Sequence, residues 1–351
     1  MIHYGIAGCG HIADKHIEAI RNTDCAVLTA VCDTHPDRLK AAAERTGAAP
    51  YPSLADMLAD EPKLDAVCIC TPSGLHAELA VMAARSGKHL VIEKPLALTA
   101  RDGEWISEAV RASGVKAAVV HPNRYRPAVR ELKAALDRGL FGKLGHVSAA
   151  VRWNRSQAYY DQAGWRGTKA LDGGVLMNQA IHSLDLLLWL FGSVRQVSAM
   201  ADTRIRRMEA EDTAAALLRF ESGVIGTVEA ATTVYGGNLE ETISVFGEDG
   251  CAVLGGKTAS WIRHWHCSSM SREESAALVR FIEADPYGVP GHEQIIRDMT
   301  AAILEDREPA VTVEDGLRSV RLIEELLASA DALAAEAGSK PKSSSDVQNG
   351  G

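Results

Sequence analysis

Residues 2–13 read Ile2-His3-Tyr4-Gly5-Ile6-Ala7-Gly8-Cys9-Gly10-His11-Ile12-Ala13. An apolar run ends in the pattern G-x-G-x-x-A, and an amphipathic stretch follows at once. That is a strand passing into a helix through the kind of turn that cradles a dinucleotide pyrophosphate. Gly8 permits the tight turn, Gly10 lets the backbone approach the phosphates, and Ala13 lets the helix lie close to the strand. The helix start, with His11 and Ile12, offers free N–H groups to the anion. A second apolar run, 26–32, ends in Cys32-Asp33, 20 residues beyond Ala13. A carboxylate there accepts from ribose hydroxyls and repels a 2′-phosphate, so the pattern predicts NAD over NADP. Arg38 is the nearby residue that works against this preference.

Outward from this turn, apolar runs recur at 64–70, 88–92 and 115–120, with helical patterns at 11–22, 36–46, 53–60, 75–86 and 100–113. Strands alternating with helices imply a parallel sheet covered on both faces, and the runs are as apolar as such strands must be. Past residue 123 the pattern changes. Helices are predicted at 127–138, 174–191, 291–305 and 314–334. Strand-like runs lie at 143–153, 194–204, 212–221, 224–233, 241–247 and 250–254. Tight turns such as Glu221-Ser222-Gly223 make this second sheet antiparallel. The fold class is therefore α/β plus α+β. A parallel nucleotide-binding domain covers 1–123. A domain with an open, mostly antiparallel sheet and flanking helices covers 124–337. The Ser/Gly/Lys-rich stretch 338–351 reads as a disordered tail.

The chain has 351 residues, with 37 Lys plus Arg against 46 Asp plus Glu, a formal charge of −9. That balance speaks against a nucleic-acid partner. No apolar run approaches the ~18 residues of a membrane span. The start lacks the charged and apolar regions of a signal peptide. Seven scattered cysteines without a CxxC pair point to reduced thiols in a cytoplasm. His264-Trp265-His266-Cys267 lacks the further ligands of a metal motif, so no metal is expected.

Catalytic candidates follow from position on the sheet, because ligands lie outside the carboxyl ends of the strands of open α/β sheets. Glu93-Lys94-Pro95 follows the run 88–92 and puts Lys94 within reach of a cofactor-bound substrate. Thr71, Pro72 and His76 follow the run 64–70 and could line a nicotinamide. Asn123 and Arg124 follow the run 115–120; an Asn amide could pair with the carboxamide, and Arg124 is a candidate for holding the substrate. On the long apolar helix, Asn178 and His182 are four apart and share a face, with Asp185 close by. Polar groups in so apolar a helix must be paired or line a site. Asp172-Gly173-Gly174 reads as a flexible entry or cap.

Taken together these segments resemble the Gfo/Idh/MocA oxidoreductases, the glucose-fructose oxidoreductase and inositol dehydrogenase type. The carrying residues are GIAGCGHIA at 5–13, CD at 32–33, TPSGLH at 71–76, EKPLALT at 93–99, NRYRP at 123–127, DGGVLMNQAIHSLDLLLWLFG at 172–192 and GHEQIIRDMTAAI at 291–303. The resemblance covers residues 1 to about 335. It implies a substrate held between the second sheet and the nicotinamide, with Lys94 at the reacting hydroxyl and His182 as acid/base. It also implies pairing through the exposed sheet face into homodimers or homotetramers. Many polyol dehydrogenases of the family carry Asp four residues before the His. This chain has Asn178, which cannot exchange a proton. The Asn form is similar to a subgroup acting on sugar rings.

The implied reaction is NAD-dependent oxidation of a secondary ring hydroxyl of a cyclitol, sugar or glycoside. The alternatives are a nucleotide-sugar or sugar-phosphate 3-dehydrogenase and a non-catalytic NAD(P)-binding regulator. A His near its ordinary pKa could take the hydroxyl proton while an ammonium at Lys94 stabilises the alkoxide, or a neutral Lys94 could be the base. Asp185 would then orient the His182 imidazole. Trp165, Arg166 and His292 are the foremost candidates for holding the ring, and Tyr159 is a further one. Arg152, Trp153, Asn154, Arg155, Tyr235 and Asn238 are further polar or aromatic groups in reach.

Overall fold

The computed structural model describes residues 1–339. The first half alternates strand and helix: β1 (Ile2–Ala7), α1 (Ala13–Arg21), β2 (Ala26–Cys32), α2 (Pro36–Thr46), β3 (Ala49–Tyr51), α3 (Leu54–Asp60), β4 (Ala66–Ile69), α4 (His76–Arg85), β5 (His89–Ile92), α5 (Ala100–Ser113) and β6 (Ala117–Val119). The six strands are parallel in the order β3-β2-β1-β4-β5-β6. The chain reverses direction across the sheet between β1 and β4, and a ligand crevice opens at such a switch point. Every residue of β4 is buried, as a strand covered on both faces requires. β3 was not anticipated. It is three residues long, contains Pro50 and forms the sheet edge, where Pro is tolerated. Ser53 and Thr99 start α3 and α5 by accepting the backbone N–H groups of Asp56 and Asp102.

A short 3₁₀ turn, Pro122–Tyr125, leads into α6 (Pro127–Asp137), β7 (Leu144–Arg152) and α7 (Gln157–Asp161). The long apolar helix is interrupted. Val175–Ala180 forms a π-helical turn, and α8 (Ile181–Phe191) continues from it. Then come β8 (Val194–Asp202), β9 (Thr213–Phe220), β10 (Ile225–Ala231), β11 (Glu240–Gly247), β12 (Gly250–Gly255) and β13 (Trp261–Cys267). The second sheet runs β13-β12-β11-β7-β10-β9-β8. It is antiparallel apart from the β7–β10 pair. One of its faces is buried. On the other Met200, Leu217 and Ile225 are exposed.

α9 (Arg272–Ala284) was also not anticipated, although its capping box, Ser271 with Glu274, stands in the sequence. α10 (Gly291–Leu304) returns to pack on α1, and Thr300 Oγ1 lies 2.9 Å from the Tyr4 hydroxyl beneath it. α11 (Val313–Ser339) packs against α5, α8 and β8. It runs two residues into the stretch read as tail, and 340–351 lie outside the described residues. All seven cysteines are free thiols. No described helix is long and apolar enough to cross a membrane.

Arg124 corrects an expectation. It does not face a substrate. Its guanidinium grips Asp185 of α8 in a two-pronged pair, 2.9 and 2.6 Å, and reaches Asp315 of α11 at 3.3 Å. Arg124 is 5% exposed and Asp185 1%. Asp185 is therefore committed to Arg124 and does not orient His182. The pair locks the 3₁₀ turn to both helices. Arg124→Met would strand a buried carboxylate, which typically costs about 3–5 kcal/mol. Urea unfolding of that variant should show a loss of this size in stability.

Candidate active site

The turn after β1 has the geometry its residues require. Gly8 has φ +95°, and a Cβ there would stand 2.8 Å from the Cys70 carbonyl. A Cβ on Gly10 would meet nothing within 4 Å, so the backbone lies open to the cleft. Asp33 at the end of β2 is held on both oxygens, accepting the Cys9 N–H at 2.8 Å and the His35 N–H at 2.7 Å. Gly8, Gly10, His11, Ile12, Asp33, Thr71 and Pro72 line one cleft of about 940 Å³. The Thr71 hydroxyl is buried in the protein and lacks a hydrogen-bond partner. An aimed carboxylate, an open glycine turn and an orphan hydroxyl fit NAD along this cleft.

Two cofactor candidates lie elsewhere. His76 is 1% exposed, with Nδ1 2.7 Å from the Pro95 carbonyl and Nε2 3.0 Å from the Thr71 carbonyl. It ties the 71–76 loop to the turn after β5 from behind the cleft. Asn123 lines a second cleft, of about 530 Å³, and its amide points at Glu241, 3.4 Å away.

Glu93 and Lys94 line both clefts. Glu93 Oε1 lies 2.9 Å from His16 Nε2 and 3.2 Å from His292 Nε2. Burial alone would raise the Glu93 carboxyl, but these two imidazoles outweigh it and hold the group well below its ordinary range. Among the described residues the three groups are spaced as metal ligands could be, and here they hydrogen-bond one another. His292 is thus engaged by Glu93 through Nε2, while its ring borders the smaller cleft.

The Lys94–Pro95 peptide is cis. The Lys94 ammonium donates to the Asn178 main-chain carbonyl at 2.8 Å and reaches its side-chain oxygen at 3.4 Å. That carbonyl belongs to the π turn, a distortion frequent at functional sites. The turn also separates two residues expected on one helix face: Asn178 borders the larger cleft and His182 the smaller. Burial, foremost, lowers the Lys94 pKa. Burial and then the Lys94 charge drive the His182 pKa well below its ordinary value. His182 Nδ1 is buried without a partner. An orphan acceptor is tolerated better than an orphan N–H. The neutral ring therefore keeps its proton on Nε2.

Tyr159, Trp165 and Arg166 do come together, on the wall of the larger cleft beside Lys94 and Asn178. The Arg166 guanidinium lies 4.1 Å from the Tyr159 ring centre and 4.7 Å from that of Trp165. Its Nε is buried and unpartnered. Arg155 stands on the same wall, donating to Gln179 at 2.8 Å and to Asn238 at 3.1 Å. Tyr235 is fully exposed. Sequence reasoning missed His16, the partner of Glu93. It also missed Lys15 and Arg126 on the smaller cleft, and Asp172, which was read as a cap. Lys15 and His16 had a signal in their place in the first turns of α1, and Arg126 and Asp172 in the segments 123–127 and 172–192 that carry the resemblance.

Residues 2–121 match the oxidoreductase family with an NAD-binding Rossmann fold, and residues 129–253 match the GFO/IDH/MocA C-terminal domain. The chain is similar to the WlbA dehydrogenase from Bordetella pertussis, whose crystal structure is a complex with NADH and UDP-GlcNAcA. Identity is 38%, the TM-score is 0.90, and 94% of this chain and 96% of that one are covered. The corresponding WlbA structure from Chromobacterium violaceum, again with NADH and UDP-GlcNAcA, is 36% identical with a TM-score of 0.89, over 94% of each chain. Myo-inositol 2-dehydrogenase from Thermotoga maritima is 29% identical over 252 residues, 70% of this chain and 73% of that one. The glycine turn, the strand-end Lys94 and the two-sheet architecture thus place this chain in the Gfo/Idh/MocA family of NAD-binding oxidoreductases acting on sugars or inositols.

Proposed function

We propose that the chain is an NAD-dependent dehydrogenase of a nucleoside diphosphate sugar, oxidising a secondary hydroxyl of the sugar ring. The observation that carries this reading is the likeness, over nearly the whole chain, to two enzymes crystallised with UDP-GlcNAcA. The cleft chemistry supports it. Arg155 and Arg166 put two guanidinium groups on the wall of the larger cleft, which suits an anionic substrate better than a neutral polyol. Ring-polyol oxidation is the second reading, and the inositol dehydrogenase relative supports it.

Gly8, Gly10, Asp33 and Thr71 would hold NAD, which when bound would supply a hydride acceptor for the carbinol carbon. The hydroxyl proton must leave at the same time. We assign it to Lys94, whose lowered pKa makes the neutral amine accessible. His182 presents Nε2–H to the same oxygen as a donor. An imidazolium there would face the Lys94 charge in a buried site. Loss of the hydride to that acceptor and of the hydroxyl proton to Lys94 would leave a ketone, and Lys94 would return the proton to water. The exposed sheet face with Met200, Leu217 and Ile225 supports assembly into dimers or tetramers.

The substrate class is tested by mixing enzyme and NAD with UDP-GlcNAcA, UDP-glucuronate, UDP-GlcNAc, inositols and free sugars and following NADH absorbance. Turnover confined to the UDP-sugars is expected. Turnover only with inositols overturns the reading in favour of the second. Lys94→Met should lower kcat about 10³-fold, in the range of a lost general base. His182→Gln keeps an N–H donor and should lose only about tenfold by the same measure of kcat. A base must be unprotonated, so oxidation should speed up as pH rises through the Lys94 pKa and then level off. NADH-driven reduction should show the opposite slope. His182 stays neutral throughout and should add no limb near neutrality. Finally, Asp33→Ser removes a charge-assisted ribose contact and the repulsion of a 2′-phosphate. It should lower kcat/KM for NAD about tenfold or more and raise that for NADP, read as the ratio of the two.

A further inference from the structure

We propose that Asp172 is a positioning residue that sets the proton affinity of Lys94 through the side-chain amide of Asn178. The three groups form a chain. Lys94 Nζ donates to the carbonyl of Asn178 at 2.8 Å and approaches its Oδ1 at 3.4 Å. Asn178 Nδ2 donates to Asp172 Oδ1. Asp172 Oδ2 accepts the Gly167 N–H at 2.6 Å, which anchors the far end. Asp172 is 1% exposed, yet it borders the larger cleft.

The logic lies in the polarity of the amide. A carboxamide has one accepting end and one donating end, and an ionised carboxylate can only accept. Asp172 therefore fixes the NH₂ of Asn178 toward itself and turns the amide oxygen toward Lys94. Gln179 Nε2 donates to the same oxygen at 3.0 Å, which supports that orientation. Without the carboxylate the amide is free to flip and present N–H groups to the ammonium. Asp172 also acts directly as a countercharge. Its field and that of Glu93 favour the ammonium, against burial and the charges of Arg155 and Lys15. The other titratable groups around Lys94 are His182, His121 and His76, each held toward its neutral form by burial. Asp172 thus supplies, one residue removed, the negative charge that an Asp at position 178 would supply by contact.

The consequence for turnover rests on the proposed role of Lys94, but its proton affinity can be measured without substrate. The pH dependence of acetic anhydride labelling of Lys94, read by mass spectrometry on the full chain, gives the amine's titration midpoint. Asp172→Asn keeps an oxygen for the Gly167 N–H and removes the charge. Its midpoint should fall by about one pH unit, a tenfold change in proton affinity. The kcat profile for oxidation should move to lower pH by the same amount, with KM for NAD unchanged. The double variant Asp172→Asn/Asn178→Asp puts a carboxylate in contact with Lys94 and should raise the midpoint to the wild-type value or above. An unchanged midpoint in folded Asp172→Asn overturns the proposal, as does a double variant that stays as low as the single one. If Asp172→Asn does not fold, Asn178→Leu carries the test. It breaks the bridge with Asp172 in place and should lower the midpoint too, and no shift there overturns the proposal. A labelling shift in an enzyme inactive on every UDP-sugar would refute the substrate reading alone.

Discussion

One carboxylate oxygen joins distant parts of the chain beside the two clefts. Oε1 of Glu93, at the end of β5, meets the imidazoles of His16 on α1 and His292 on α10. A carboxylate this deep is unfavourable unless hydrogen-bonded and charge-compensated. Burial disfavours an imidazolium at His16, yet the surrounding Cys70, Cys68 and Glu93 groups hold the ring well above its ordinary value. We take the Glu93 carboxylate as the physical source, because the thiols are neutral near pH 7. The cluster is then an ion pair with a neutral His292 as second donor. It fixes where β5 ends and hence where Lys94 begins. It also brings α10, from the far end of the chain, against the first helix.

From that anchor the rest of the site follows by placement. Lys94 leaves the strand between two clefts, one lined by the nucleotide-binding turn and one by His182, Arg126 and Lys15. Cations crowd this region, and each makes another proton harder to hold. Arg126 is drawn down by burial although Glu241 pulls the other way, and His182 is lowered by burial, Lys94, His121 and Arg126. Burial is the foremost cause that lowers the proton affinity of both Lys94 and His182.

Much of the fold was legible because its signals are local. A strand buried on both faces reads as a short apolar run, and the glycine turn with Asp33 follows from the needs of a pyrophosphate and a ribose. Apart from α9, whose capping box was there to be read, what escaped was short, a subtle change of spacing, or set by distant residues. β3 has too few residues to show a pattern. The π turn at 175–180 differs from an α-helix by a spacing that apolar periodicity hardly registers in so uniformly apolar a segment. For the site, strand-end position identified Lys94 and Thr71 as cleft residues, but it could not say on which side of the loop a side chain points. His76 turns behind its loop to bind two carbonyls. Arg124 and Asp185 look like site residues separately. They prove to be each other's partners across 61 positions of sequence, a pairing that residue type alone does not encode.

The exchange of Asp for Asn at position 178 looks, in sequence, like the loss of a charge from the reaction centre. A carboxylate is nonetheless close by. Asp172 stands behind Asn178 and is joined to it by a hydrogen bond. An ammonium in contact with a carboxylate gains more than one separated from it by an amide, since Coulomb energy falls with distance and rises as water is excluded. Moving the carboxylate back one residue therefore weakens its hold on the lysine proton without abolishing it. The amide that fills the gap cannot take the proton itself. It leaves Lys94 with a fixed acceptor, a lowered proton affinity and room on the cleft side for a substrate oxygen. In that arrangement the absence of a proton-exchanging residue at 178 is compatible with base catalysis, because the residue behind it tunes the lysine in its place.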